Sequence, residues 1–387
     1  MIKEKLEALV HQKHLSLLGV GPMSLNCVDA AIELANEFDS PLMMIASRRQ
    51  IDSEDFGGGY VNQWSTDRYA SYVMDNDKKG RVILARDHGG PWQSEIEVKK
   101  GLSLKRAMDS AKDSFSADID AGFQILHIDP SIDIHGSPSV EETLDRAFEL
   151  YEFCWSYAKS KRKEIAFEIG TEEQSGITNS QEELDYTLGR INSFCDKNKY
   201  PRPAFVVVQT GTRVMEMRNI GSLDNPFRVV DEIPAEIQVP KMVEICKTHG
   251  VLLKEHNADY LSDEILKWHP RLGIHAANVA PEFGVAESKA FASLLEENSL
   301  NHLADDFYSL SFSSKKWEKW MLDGSSLSDK DKAIISGHYV FSNPSFNEIK
   351  RHAEKELIKK NIILDNFLKN AVKKSIYRYM KSFRLAK

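Results

Sequence analysis

The sequence predicts an α/β protein built as a (β/α)8 TIM barrel with a C-terminal helical extension. Three observations carry that expectation. Eight short apolar, β-branched runs recur between residues 14 and 281, helical patterns separate them, and ionisable residues collect at the C-terminal ends of the runs. Alternation of strand and helix makes neighbouring strands parallel, because each crossover helix returns the chain to the same end of the sheet. A doubly wound open sheet is the other arrangement with this alternation. It usually opens on a glycine-rich turn, and LLGVGPMSLN fits the GxGxxG pattern poorly.

The eight runs are HLSLLGVG (14–21), LMMIAS (42–47), RVILARDH (81–88), GFQILHID (122–129), EIAFEIG (164–170), AFVVVQTG (204–211), GVLLKEHN (250–257) and GIHAANVAP (273–281). CVDAAIELANEF follows the first, SLKRAMDSAKDSF the third and SVEETLDRAFELYEFCWSYAK the fourth, each with helical spacing of apolar residues. Residues 1–300 therefore read as the barrel. Residues 301–348, from KKWEKWMLDG through HYVFSNP, read as a helical cap over one mouth. Residues 349–387 read as a basic amphipathic helical tail, with Ile362, Ile363, Phe367, Leu368, Val372, Ile376, Tyr379, Met380 and Phe383 at helical intervals.

Charge supports a division of labour along the chain. The net charge is −8, yet from Ile349 onward twelve Lys or Arg face three Asp or Glu, so by difference the rest carries about −17. An acidic body argues against a nucleic-acid groove, and the tail is expected to dock on that body or in an oligomer contact. No apolar run approaches the ~18 residues of a membrane span and no signal peptide is legible, so a cytoplasmic protein is expected. Cys27, Cys154, Cys195 and Cys246 are widely spaced and read as buried reduced thiols.

In such a barrel, working residues come from the C-terminal strand ends and the loops beyond them. The third run ends in Asp87-His88, the fourth in His127-Ile128-Asp129, the fifth in Glu168 with Glu172 just beyond, the sixth in Gln209, and the seventh in Glu255-His256 with Asp259 following. A single such residue is usually structural, but five populated ends point to a site. Imidazoles and carboxylates are ligands for a divalent ion, zinc first and manganese as the other fit. His88 and His256 are the expected ligands, with Glu172 as third and Asp129 as its rival. Asp87, Glu172 and Asp129 are the candidate acids and bases, although Asp87 has the duller alternative of orienting His88. His127 and Asp129 share one strand face, which favours both pointing inward. Gln50, Gly58, Gly59, His127, Gln209, Arg213, Asp259 and Asn278 are candidate substrate contacts. A phosphate is expected near Arg213 and the backbone around Gly284, with Arg48 or Arg49 offering another cation.

These residues also carry a resemblance. DHGGP (87–91) resembles DHLGP, FGGGY (56–60) the GGYTG loop, LHID the IHLDxS element, EIGTE the IGTE element and VVVQTG the VVVQPG element. KEHNADY resembles EAHSTDY, NVAPEF resembles KVGPALT, and HYVFSNP resembles YYWxHP. Together they are similar to the Z-type, non-catalytic subunit family of class II D-tagatose-1,6-bisphosphate aldolase, with its related ketose and sugar-acid epimerases. The resemblance implies a barrel akin to metal-dependent ketose-bisphosphate aldolases and a partner that is a class II catalytic subunit. Gly89 stands where the family has Leu, Arg86 replaces a small residue, and the loop at 47–50 differs. The expected activity is metal-dependent retro-aldol or enediolate chemistry on a ketose or sugar phosphate. The alternative is an accessory barrel that stabilises and activates an aldolase partner.

Overall fold

A computed structural model describes residues 2–170, 180–225 and 233–386. Eight parallel strands close into a barrel: β1 (Leu17–Val20), β2 (Leu42–Ser47), β3 (Val82–Gly89), β4 (Ile125–Ile128), β5 (Ala166–Ile169), β6 (Phe205–Val207), β7 (Leu252–Glu255) and β8 (Ala276–Val279). Each strand pairs with its sequence neighbour, and β1 closes on β8 in the register Leu17 to Ala276 through Val20 to Val279. The eight predicted runs all form barrel strands; most are shortened at their ends, while β2 keeps its predicted bounds and β3 runs one residue further, to Gly89.

Most strands are buried on both faces, as expected where helices cover a parallel sheet. Several of the surrounding helices begin where a serine accepts an otherwise unpaired backbone N–H. Ser24 caps the helix Leu25–Glu37, and Ser139 with Glu142 forms a reciprocal capping box on Val140–Ser160. The helix Ile2–Lys13 lies against the N-terminal end of the barrel, burying Leu6 and Val10. Its Ile2 N–H donates to Glu164 (2.6 Å) and its Lys3 Nζ to the Gly250 carbonyl (2.9 Å).

The chain after β8 builds a second apolar cluster. Phe291, Leu295, Phe307, Phe346, Ala353 and Leu357 pack together from the helices Pro281–Glu297, Asn301–Ser313 and Pro344–Leu357. The last helix, Leu364–Ser382, then returns to the barrel. It packs against Leu25–Glu37 and Pro281–Glu297, and places Val372, Ile376, Tyr379, Met380 and Phe383 in the same core as the strands. Its basic face meets acids of the body: Lys369 reaches Glu33 (2.5 Å), and Arg378 reaches Asp263 (2.6 Å). The basic tail is thus docked within its own chain. Among the described residues no helix is long and apolar enough to cross a membrane, and all four cysteines are buried free thiols.

Candidate active site

A regular strand sends consecutive side chains to opposite faces, so Asp87 and His88 could not both point inward without a break in the pattern. The break is a bulge. Between β3 and β4 the pairing runs from Arg86 to Gly89 on one strand but only from Leu126 to Ile128 on the other, one residue fewer. His88 takes the extra position with φ 47°, a left-handed conformation that costs a non-glycine residue energy. Arg86 stays on the outer face, where Asp118 of the helix Leu104–Ala121 holds it by two hydrogen bonds (2.8 and 2.5 Å). Asp87 and His88 both reach the barrel mouth.

There they meet residues from four other strands. The rings of His88, His127 and His256 lie 5.0–5.2 Å apart, centroid to centroid. The Asp129 carboxylate accepts from His88 Nδ1 (2.6 Å), from Gln93 Nε2 (3.0 Å) and from the Ser131 hydroxyl (2.5 Å). With Nδ1 occupied, His88 offers Nε2, which is 3.8 Å from Asp87. Glu168 bridges Lys254 Nζ (2.5 Å) and His256 Nε2 (2.9 Å) at the barrel centre. Asn278 Nδ2 donates to Asp87 (3.0 Å) and lies 3.1 Å from His256 Nε2. His127 accepts the His88 backbone N–H at Nδ1 (3.1 Å), and its Nε2 has no partner among the described residues. A Cβ at residue 170 would sit 2.6 Å from that Nε2, so the glycine after β5 makes the room His127 needs.

Electrostatics tie these groups together. Burial would raise the Asp87 carboxyl, but the imidazoles of His88, His256 and His127 hold it far below the usual carboxylate range. Burial would lower His88, yet Asp87, Asp129 and Glu168 push it up to about 9. Glu168 is held down to about 2 against its burial, chiefly by Lys254 and the neighbouring imidazoles.

Among the described residues, two groups of side chains have ligand atoms all within 4.8 Å of one another: His88, His127 and His256, and Asp87, His127, Glu168 and His256. With neutral imidazoles, the carboxylates of Asp87, Asp129 and Glu168 outweigh Lys254 by two negative charges in a space largely closed to water. That imbalance, with the unpartnered His127 Nε2, fits a divalent cation. It also explains why a proton is drawn onto His88.

Above the cluster opens a cavity of about 310 Å³, walled by Asp87, His88, Gln50, Arg49, Tyr60 and Gln93 from the barrel side, and by Lys319, Trp320 and Tyr339 from the extension. His88 is 39 % exposed in its side chain and His127 only 1 %, so His88 and Asp87 are what the cavity presents at its floor.

Of the residues predicted from sequence, Asp87, His88, His127, Asp129, His256 and Asn278 come together, and Gln50 lines the cavity. Glu172 lies outside the described residues. Gly58, Gly59, Gln209, Arg213 and Asp259 are not among the cavity walls. A Cβ at Gly59 would lie 1.8 Å from the Gln50 carbonyl oxygen, and Gly58 (φ 69°) shapes the same turn; their close approach is to backbone. Gln209 is buried beyond β6, and Arg213 is exposed beside the hairpin Val214–Met215 and Arg218–Asn219. Asp259 accepts the backbone N–H groups of Ala280 (3.0 Å) and Glu282 (2.8 Å), capping Pro281–Glu297. Gly284 lies inside that helix against His338, and Arg48 is buried between Asp52 and Glu97, so neither faces the cavity. From sequence, Glu168 stands as a strand-end acid without a role and Lys254 is not singled out, although a charge within an apolar strand run is a legible signal. Lys319, Trp320 and Tyr339 had no such signal, since no strand-end rule reaches a segment that folds back from the extension.

Residues 2–200 match the family model described as D-tagatose-1,6-bisphosphate aldolase subunit GatZ/KbaZ-like. The chain belongs to this family. The D-tagatose-1,6-bisphosphate aldolase subunit GatZ of Escherichia coli O157:H7 (strain EC4115 / EHEC) is 26% identical over 170 residues, which is 41% of this chain and 38% of the relative. The chain thus spans well under half the length of the curated relatives it matches. In three dimensions, a protein of Sinorhizobium meliloti described as a probable tagatose 6 phosphate kinase superposes with a TM-score of 0.71 at 17% identity, covering 95% of this chain and all of that one. The fructuronate-tagaturonate epimerase UxaE of Cohnella laeviribosi gives 0.61 at 11% identity, over 99% of this chain and 86% of its own. At these identities the likeness is one of fold.

Proposed function

We propose that this GatZ/KbaZ-like protein is a metal-dependent enzyme that breaks or inverts a carbon centre of a ketose or sugar phosphate by retro-aldol or enediolate chemistry. The observation that carries the reading is the bulge that turns Asp87 and His88 together into a cavity directly above His127, Glu168 and His256. His88, through Nε2, and His256 would hold the ion. Glu172, three residues beyond β5, is the proposed third ligand, and Glu168 is its rival among the described residues. Zinc suits this donor set, and manganese is the alternative. A bound divalent ion supplies Lewis acidity to the sugar carbonyl.

The chain's own residues do the rest. Asp87 accepts the proton of the hydroxyl on the carbon at the far end of the bond to be broken, two carbons from the carbonyl. The bond from that carbon to the one beside the carbonyl breaks, its electron pair moves into the carbonyl group, and an aldehyde and an enediolate result. If the aldehyde turns its other face before the bond reforms, the product is the epimer. Asn278 holds Asp87 in place, and Asp129 fixes the ring of His88 with Nε2 toward the cavity.

A second reading follows from the family description, in which the relatives are named subunits: a barrel that supports a class II catalytic partner. Metal analysis of the full chain decides between them when paired with turnover. The first reading expects about one divalent ion per chain, its loss in His256→Ala, and cleavage or epimerisation of ketose phosphates by the isolated protein. A metal-free or inert protein that becomes active only with an aldolase partner overturns it.

A further inference from the structure

The cavity has two electrically different ends. Its floor carries Asp87 and His88, while the walls above it carry Arg49 from the β2 loop, Lys319 from the extension and the acid Glu95. Glu95 is spoken for, paired with Lys316 at 2.6 Å. Arg49 and Lys319 are not: among the described residues neither has a carboxylate within ion-pair distance. Lys319 instead lies over the rings of Trp320 (4.7 Å) and Tyr339 (5.3 Å). Both side chains are exposed to solvent, and two cations on the walls of one cavity repel each other.

The wall that carries Lys319 is held in place. The Glu216 backbone N–H donates to the Trp320 carbonyl (2.7 Å), the Ser342 hydroxyl to the Tyr60 carbonyl (2.8 Å), and Lys316 binds Glu95 across the cavity rim. Trp320 and Tyr339 present flat aromatic and polar edges to the same space. Lys319 remains accessible, yet crowding by its surroundings, with Arg49 and Lys316 alongside, pulls its ammonium down to about 8. An anion placed between Arg49 and Lys319 would relieve that repulsion and accept charge-assisted hydrogen bonds from both.

We propose that Arg49 and Lys319 bind the anionic terminus, phosphate or carboxylate, of the sugar whose reacting end lies at Asp87 and His88. This rests on the reading of the cavity floor as the reaction centre, and it adds a task for the C-terminal extension: selecting charged over neutral sugars. It also moves the anion away from the loops after β6 and β8, where Arg213 and Gly284 had been expected to receive it.

The test is direct binding of inorganic phosphate, and separately of acetate, to the full-length protein by calorimetry. The wild type should bind one anion per chain. Lys319→Met and Arg49→Met should each weaken binding about tenfold, the worth of one charge-assisted hydrogen bond, and Lys319→Arg should restore it. Arg213→Met should leave phosphate affinity within about twofold, since Arg213 is outside the cavity wall. Preference for phosphate points to a phosphorylated sugar, and equal binding of acetate to a sugar acid. The assignment is overturned if neither ion binds, if both cationic variants bind like the wild type, or if Arg213→Met abolishes binding while Lys319→Met does not. Binding needs no turnover, so an inert protein that still binds phosphate through these residues would retain this site and lose only the proposed reaction.

Discussion

At the scale of single residues, the site depends on what holds each imbalance in place. Asp129 is buried, gives one oxygen to His88 Nδ1 and receives further hydrogen bonds from Gln93 and Ser131. It has no wall position in the cavity, so in the proposed reading its work is to fix the tautomer and orientation of His88. Asp129→Ala is therefore expected to weaken metal binding about 10–100-fold, the usual cost of losing a carboxylate behind a ligating imidazole. Competition with a chelator reads this directly, and unchanged affinity would remove Asp129 from the positioning role. The sequence showed that acids and imidazoles shared strand ends, because period-2 alternation is a local property. It did not show which acid serves which imidazole. On a regular strand Asp87 is the natural neighbour of His88, and only the bulge at His88, a feature of pairing with β4, assigns that place to Asp129.

At the scale of elements, the eight strands were legible because each is a short apolar run between helical patterns, and their boundaries blurred where flanking residues join loops. Asp259 shows the limit of the strand-end rule. Standing just past β7, it reads as a substrate contact, yet it caps the helix Pro281–Glu297 through Ala280 and Glu282 N–H groups. Burial first, then the nearby Glu282 carboxylate, raise its carboxyl from 3.8 to about 8, against the pull of those N–H groups. A raised folded pKa means that the native state keeps a proton which the unfolded chain releases. Its contribution to stability is full below 3.8 and is lost progressively as pH rises toward about 8. Asn at 259 still offers an oxygen to the helix N-terminus but does not titrate. Asp259→Asn should match the wild type near pH 5 more closely than at pH 8, where it should be more stable by on the order of 1 kcal/mol or more. Urea denaturation at both pH values measures the difference, and a gap that does not change with pH would show that Asp259 is not protonated in the fold.

At the scale of the whole molecule, the tail is where composition and packing diverge most. A lysine-rich segment some eighty residues beyond the last strand reads as a tail that docks by charge on an acidic body, because nothing local shows that an intervening helical layer returns its apolar stripe to the barrel wall. The salt bridges it makes there, Lys369 and Lys373 with Glu33 and Arg378 with Asp263, join partly exposed groups and are worth little, about 0–1 kcal/mol each. The apolar stripe is a different matter. Leu368, Val372, Ile376, Tyr379, Met380 and Phe383 are each at most 2% exposed, and each such side chain contributes roughly 1.5–3 kcal/mol by leaving water. Six of them amount to a sum on the order of a domain's entire stability, about 5–15 kcal/mol. The helix also closes the gap between Leu25–Glu37 and Pro281–Glu297, so its loss would expose the flanks of both. Ending the chain at Asn361 is thus expected to abolish the cooperative unfolding transition, whereas Lys369→Gln with Lys373→Gln should shift stability by less than about 2 kcal/mol. Circular dichroism during urea titration distinguishes the two views: if the shortened chain still unfolds in one transition at the wild-type midpoint, the last helix is an appendage and not part of the barrel wall.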